Sequence, residues 1–359
     1  MPLFRTVLGD LDPGELGRID YHEHLFQISP LLVGDELDDE EATGAEAALL
    51  RTSGFAAMVD ATPIGLGRNP AAMARISAHS GLNVVATSGA HSQEHYQSSS
   101  WMLDLSEGEM TARFITDLTT GMPACDRPSA APAAQGPDGE PVRAGILKVG
   151  IGYWRISPFE RRVIAAVGAA HCQTGSPVMV HLEHGSAAFE VLAVLATVGV
   201  PAESVVLAHV DRNPDPVLHA ELAAAGAYLG YDGFARTREW PDTALLRCLR
   251  EAADLGARDR LLIGGDVARR TRYTSYGGMP GLAYLGDRVV PRLEREAPAD
   301  LVAALLVHNP ARLLTFRQLA DACPERDDVS TSNLPPVHPM SLTLSWVRSK
   351  PDDMGYRQT

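Results

Sequence analysis

Cysteine is scarce in this chain of 359 residues: the four present, Cys125, Cys172, Cys248 and Cys323, lie far apart, with no CxxC and no pairing pattern. That excludes a small disulfide-stapled module and a cysteine-built zinc site, and it suits a compartment where thiols stay reduced. Positive charge is in deficit. Thirty-one Lys and Arg against 45 Asp and Glu leave a formal net charge of −14, which repels a phosphate backbone or an anionic membrane, so no nucleic acid and no membrane partner is expected. Uninterrupted apolar runs are missing too. Met1-Pro2-Leu3-Phe4-Arg5 does not open a signal peptide, and the charge-free stretch from Val163 to Val180 is broken by His171, Gln173, Ser176 and Pro177. The expectation is a cytoplasmic protein. A composition of 45% hydrophobic and 21% charged residues excludes a disordered chain or a collagen-like fibre.

What the chain does have is repetition of one unit. Eight short apolar, β-branched runs recur: Arg18 to Tyr21, Ala56 to Asp60, Asn83 to Thr87, Gly145 to Val149, Val178 to His181, Val205 to His209, Ala227 to Tyr231 and Leu261 to Gly264. Between and after them the apolar spacing becomes helical, over Glu40 to Arg51, Pro70 to Ser80, Glu107 to Thr120, Pro158 to Thr174, Ala187 to Val198, Pro216 to Ala225, Asp242 to Leu255 and Pro298 to Phe316. Ser157-Pro158 and Asn69-Pro70 carry the expected helix-start signals, a capping side chain before a proline in the first turn. Eight strand-helix units predict an α/β fold, a closed (β/α)₈ TIM barrel, with a doubly wound open sheet as the alternative. No glycine-rich dinucleotide fingerprint follows any strand; Gly65-Leu66-Gly67 lacks the third glycine and the acidic partner. Residues 1–317 are expected to form the barrel, with a proline-rich surface insertion at 122–143 and a C-terminal extension, 318–359, that packs on the barrel or on a partner subunit.

Chemistry in such a barrel concentrates at the carboxyl ends of the strands. There the first predicted strand ends in His22-Glu23-His24, the fourth in Lys148, the fifth in His181 and the sixth in His209, and the eighth is followed by Asp266. Alternation along a strand puts His22 and His24 on one side and Glu23 on the other, so two imidazoles converge on one point. Any single histidine beside an apolar run is more often a packing residue, but six such side chains at separately predicted strand ends read together as a metal centre. The other eight histidines fall on helices and loops and carry no such expectation. Lys148 is out of place beside cations unless burial lowers its pKa and the neutral amine adds CO₂; a salt-bridged, unmodified lysine is the alternative.

These residues, with Thr6-Val7-Leu8-Gly9, Asp60-Ala61-Thr62-Pro63-Ile64-Gly65-Leu66-Gly67-Arg68, Ile146-Leu147-Lys148-Val149, His209-Val210-Asp211-Arg212-Asn213, Ile263-Gly264-Gly265-Asp266, Tyr276-Gly277-Gly278 and Asn309-Pro310-Ala311-Arg312, make a specific set. The chain resembles the phosphotriesterase-like branch of the amidohydrolase superfamily from about Thr6 to Phe316. The resemblance implies two divalent ions, zinc foremost and cobalt, manganese or iron as alternatives. His22, His24 and Asp266 would hold the more buried ion, His181 and His209 the more exposed one, and a CO₂-derived carbamate on Lys148 would bridge them. It implies attack by a metal-bridging hydroxide, with Asp266 and Lys148 as the catalytic residues and Asp266 taking the proton. It also favours a homodimer.

The expected function is hydrolysis of a small molecule, a lactone first, with phosphotriester hydrolysis as a side activity. An amidase acting on N-acyl amino acids or acyl amines through the same site is the second reading, and a catalytically inactive metal-binding barrel the third. Substrate choice falls to the strand-to-helix loops, where Tyr96, Arg269 and Tyr276 are the candidate contacts, with packing roles equally open. Asp211 either orients an imidazole or holds its own turn.

Overall fold

The alternation of β-branched runs and capped helices closes on itself in space. The computed structural model describes residues 3–129 and 131–317. Its strands are β1 Leu3–Thr6, β2 Gly9–Leu11, β3 Ile19–Glu23, β4 Ala57–Asp60, β5 Asn83–Ala90, β6 Ile146–Ile151, β7 Val178–Leu182, β8 Val205–Ala208, β9 Tyr228–Tyr231, β10 Leu261–Ile263 and β11 Thr315–Phe316. Strands β3 to β10 pair in chain order, every pair parallel. The seam between the two ends is closed by single hydrogen bonds rather than a ladder: the amides of Gly265 and Asp266 donate to the His22 carbonyl at 3.3 and 2.9 Å. The result is the expected barrel, nearly closed, and the strand that ends in the HxH motif meets the segment that carries the aspartate along that seam. Strands β1, β2 and β11 form a separate antiparallel sheet, and none of them was signalled by the periodicity of the sequence.

The helices are α1 Glu40–Thr52, α2 Pro70–Ser80, α3 Glu107–Thr119, α4 Pro158–Thr174, α5 Ala188–Thr197, α6 Pro216–Ala224, α7 Asp242–Ala252, α8 Val290–Glu296, α9 Ala299–Ala303 and α10 Asn309–Leu314. Helices α2 and α4 match their predicted bounds to the residue because both ends are encoded: Asn69 and Ser157 cap the first turns, and Gly81 and Gly175 take the left-handed conformation after the last. The long helix expected over Pro298 to Phe316 runs from Ala299 to Leu314, with a π-helical turn at Ala304–His308 between α9 and α10, and gives way to β11 at its end. Pro310 cannot donate to the carbonyl four residues back, and the turn before it is the wide one.

Alternation along the strands sorts the apolar residues into two cores. Ile19, Tyr21, Val59, Val85, Ile146, Met179, Val206, Tyr228 and Leu262 fill the barrel interior, joined by Phe4 of β1, while Leu147, Val149, Val178, Val180 and Leu207 pack outward under the helices. Lys148 and His181 share the period of Ile146 and Met179, so the same alternation aims them at the barrel axis. The 122–143 insertion is a pinned loop: Met122 and Val142 are buried, and Arg68 sits between Asp117 and Asp126, 2.8 Å from each. Among the described residues, Cys125 and Cys248 are free thiols. Among the described residues no helix is long and apolar enough to cross a membrane. The extension at 318–359 lies outside the described residues.

One glycine fixes the site's geometry. Gly89 pairs with Lys148 in the β5–β6 ladder at φ +97°, and a Cβ there would lie 2.2 Å from the Lys148 carbonyl oxygen. Gly89→Ala is expected to destabilise the protein by roughly 1–3 kcal/mol from the backbone conformation alone, read as a lower urea midpoint; an unchanged midpoint would contradict the close approach.

Candidate active site

At the carboxyl end of the barrel the imidazoles of His22 and His24 are each oriented by a partner on Nδ1, which leaves Nε2 to act. His22 Nδ1 lies 3.2 Å from Asp232 Oδ2, and His24 Nδ1 is 2.7 Å from Thr62 Oγ1. The free Nε2 atoms then converge on one carboxylate oxygen, Asp266 Oδ1, at 3.6 and 3.5 Å. Buried His22 Nε2 has no hydrogen-bond partner. Burial holds His24 neutral, its pKa lowered to about 3. Asp266 is the opposite case: burial opposes its charge, but Arg236, His209 and His22 outweigh it and keep the carboxyl well below the usual carboxylate range.

The second half of the cluster comes from β6, β7 and the turn after β8. His209, at φ +65°, donates from Nδ1 to Asp232 Oδ1 at 2.6 Å, and its Nε2 is 2.8 Å from His181 Nδ1. His181 Nε2 is 3.2 Å from Glu183 Oε2. Lys148 is buried, its ammonium donating to the Ala61 carbonyl at 2.8 Å, and burial, only partly offset by Asp266, brings its pKa down to about 8. Among the described residues, two groups of three have ligand atoms within 4.8 Å of one another: His22, His24 and Asp266, and His22, His209 and Asp232. Buried imidazoles facing a carboxylate are the donor set a divalent cation needs, so both groups fit a metal ion; the first is the trio expected from the sequence, and the second holds Asp232 where His181 and Lys148 were expected. The six predicted strand-end residues are thus gathered at one end of one barrel.

Asp232, at the end of β9, was not among them. Its carboxylate accepts from Tyr21 Oη, His22 Nδ1, His209 Nδ1 and the His209 amide. Burial opposes its charge, and the two histidines reverse that and hold it well below the ordinary range. The signal was there, in an aspartate directly after an apolar run that ends at Tyr231. Because one carboxylate orients an imidazole from each half of the cluster, Asp232→Asn is expected to weaken divalent-metal affinity by about 10- to 100-fold, measured by competition with a chelator; wild-type affinity would show that the histidines hold themselves.

The three candidate loop contacts each hold hydrogen bonds within the protein. Tyr96 is buried, its hydroxyl donating to the Ile64 carbonyl at 2.9 Å and accepting from the His91 amide at 3.1 Å. Arg269 pairs with Asp35 at 3.3 Å, and the Tyr276 hydroxyl accepts from the Asp39 amide at 2.9 Å, where α1 begins. Asp211 accepts from the Gly233 amide at 2.8 Å and ties two loops together. Glu23, on the other side of β3 from the two histidines, accepts from the Val267 amide at 2.8 Å. His91, its ring 4.4 Å from that of His181 and 3.5 Å from that of His95, also borders the cluster, as do the arginines Arg212 and Arg236 on Asp266.

Comparisons with known proteins agree with this fold. Residues 2–314 match the phosphotriesterase family. A phospho-furanose lactonase of Mycoplasmopsis synoviae is 27% identical over 334 residues, covering 87% of this chain and 91% of that protein. An N-acetyltaurine hydrolase of Danio rerio is 28% identical over 360 residues, covering 87% and 98%. The crystal structure of a lactonase from Listeria monocytogenes superposes with a TM-score of 0.78 at 30% identity, covering 88% of this chain and all of that one. The barrel, its strand-end cluster and these likenesses together make the chain a hydrolase of the phosphotriesterase family.

Proposed function

We propose that the protein is a binuclear metal-dependent hydrolase that opens a small lactone, with phosphotriester hydrolysis as a side activity. The observation that carries this is the convergence of His22 Nε2 and His24 Nε2 on Asp266 Oδ1, with Lys148, His181 and His209 at neighbouring strand ends. His22, His24 and Asp266 would hold one ion, His181 and His209 the other, and Lys148, as a carbamate, would join them. When bound, two such ions polarise a carbonyl or phosphoryl oxygen and generate a nucleophile from water at neutral pH.

The chain's own residues do the rest. Lys148 sheds one proton to give the neutral amine, which adds CO₂: a nitrogen–carbon bond forms as a carbon–oxygen π bond opens and a second proton leaves, so a buried cation becomes an anion suited to two cations. Asp266, kept ionised, is placed to accept a proton at the carboxyl end of the barrel. Asp232 and Thr62 keep the imidazoles in the orientation that presents Nε2. Tyr96, Arg269 and Tyr276 brace the loops of the mouth through the hydrogen bonds given above, which fixes pocket shape before any substrate arrives.

The amide reading has a specific support in the N-acetyltaurine hydrolase relative, since the same site polarises an amide carbonyl. A pH-indicator assay of metal-loaded protein against γ- and δ-lactones and acyl-homoserine lactones, run beside amine detection on N-acyl amino acids, separates the two. Proton release with lactones that is absent from Asp266→Asn is the expected result. Amine release without lactone opening would replace it with the amidase, and neither signal would overturn hydrolysis of both classes.

A further inference from the structure

Between β9 and the helices α6 and α7 lies a buried polar chain that no step above uses. Alternation at the end of β9 turns Asp232 toward His22 and His209, and Tyr231 outward into the core beneath the helices. There the Tyr231 hydroxyl is 2.5 Å from Nδ1 of His219 on α6 and 3.4 Å from Sγ of Cys248 on α7, and His219 Nε2 is 3.1 Å from the Val210 carbonyl oxygen. His219, Tyr231 and Cys248 are all buried.

The chemistry of the end groups fixes the direction of each bond. A carbonyl only accepts, so His219 Nε2 carries a proton. Burial brings the pKa of the ring down to about 4, so it is neutral and Nδ1 carries none. Tyr231 therefore donates to Nδ1, and its oxygen is left to accept from the Cys248 thiol. Polar groups buried and satisfied in this way add little stability over an apolar core of the same volume, but they fix position. Two backbones are fixed here. Val210 follows His209, which stands in the left-handed region at φ +65°, where a residue with a side chain is strained and persists only if its surroundings hold it. Tyr231 precedes Asp232, the carboxylate that His209 Nδ1 meets at 2.6 Å.

We propose that His219 is a positioning residue of the active site: by joining the Val210 carbonyl to the Tyr231 hydroxyl it sets the span between the turn that carries His209 and the strand end that carries Asp232, and so keeps those two side chains in the bond that presents His209 Nε2. The placement of His209 follows from these bonds alone; its effect on a bound ion rests on the binuclear reading. His219 itself touches neither metal nor substrate.

Two measurements test it. In the first, metal-free protein carrying histidine labelled with heavy nitrogen is studied by NMR, and the proton on His209 Nδ1, identified by its loss in His209→Gln, is followed in the wild type, His219→Leu and His219→Gln, with circular dichroism as the check on folding. The signal is expected to be displaced or lost in His219→Leu and to stay nearer the wild type in His219→Gln, whose amide still donates to the Val210 carbonyl. The same signal in all three proteins overturns the proposal, and so does equal displacement in both variants, because the ring then packs rather than bonds. Should His219→Leu not fold, Tyr231→Phe, which removes one oxygen and keeps the ring, takes its place. In the second, zinc affinity is measured by competition with a chelator in the wild type, His219→Leu, Asp232→Asn and the double variant. A loss of about 10-fold is expected in His219→Leu, with the double variant losing less than the product of the separate losses, because both changes act on His209. Unchanged affinity in His219→Leu, or losses that multiply in full, overturns the proposal. No zinc bound by the wild type, with the His209 signal still dependent on His219, leaves the positioning role standing and removes the metal reading instead.

Discussion

Replacing Lys148 with alanine is expected to cost the protein one of the two divalent ions proposed for it and about 1,000-fold or more of its turnover, since on that reading several kcal/mol of charge stabilisation depend on the ion pair. Lys148 is fully buried on the barrel-facing side of β6, among His24, His91 and His181. An ammonium there repels the very cations the histidines would hold; a carbamate attracts them. Its pKa of about 8 gives the direction of a second effect. Only the neutral amine adds CO₂, and its fraction grows as pH rises through 8, so metal uptake by chelated protein is expected to be more complete at pH 8.5 than at pH 6.5 and to depend on added bicarbonate. Because alanine leaves a cavity, Lys148→Met, which keeps the volume, serves as the control for folding. Full metal content and activity in both variants would remove the carbamate from the account.

Asp266→Asn is expected to lower turnover by about 100- to 10,000-fold, the range over which a positioned acid or base contributes. Asp266 occupies the left-handed region at φ +46°, a conformation asparagine tolerates well, so the backbone of the seam should survive the change. What disappears is charge, on the oxygen facing His22 and His24, at the proposed proton acceptor, and opposite Arg212 and Arg236. Circular dichroism and melting temperature close to wild type with turnover nearly gone is the predicted pattern. Near-wild-type rates would place the proton acceptor on another residue.

How much of this was legible in the sequence follows from what each residue's placement depends on. His22, His24, Lys148, His181 and His209 were readable because strand alternation and strand ends determine where they point, and strands announce themselves by their β-branched runs. Asp232 obeys the same rule at the end of β9. It was passed over because an aspartate after an apolar run resembles an ordinary turn residue, and only its four buried donors mark it as more. Arg212 and Arg236 depend on the paths of loops, and nothing in a linear sequence tells whether a loop arginine turns inward to a carboxylate or outward to water. The same holds for Tyr96, Arg269 and Tyr276, whose hydrogen bonds are to neighbouring loops. Helix caps were legible at Asn69, Ser157, Gly81 and Gly175, whereas the π-helical turn within the predicted 298–316 helix required the consequence of Pro310 to be weighed beside a favourable apolar period.

The central claim is that these strand-end residues hold two ions. Its most direct test is to strip the protein with a chelator, return zinc in the presence of bicarbonate, remove the excess and count the metal per chain by mass spectrometry. The account predicts two ions per chain in the wild type and fewer than two in Lys148→Ala. One ion or none in the wild type, or two in both proteins, would contradict it.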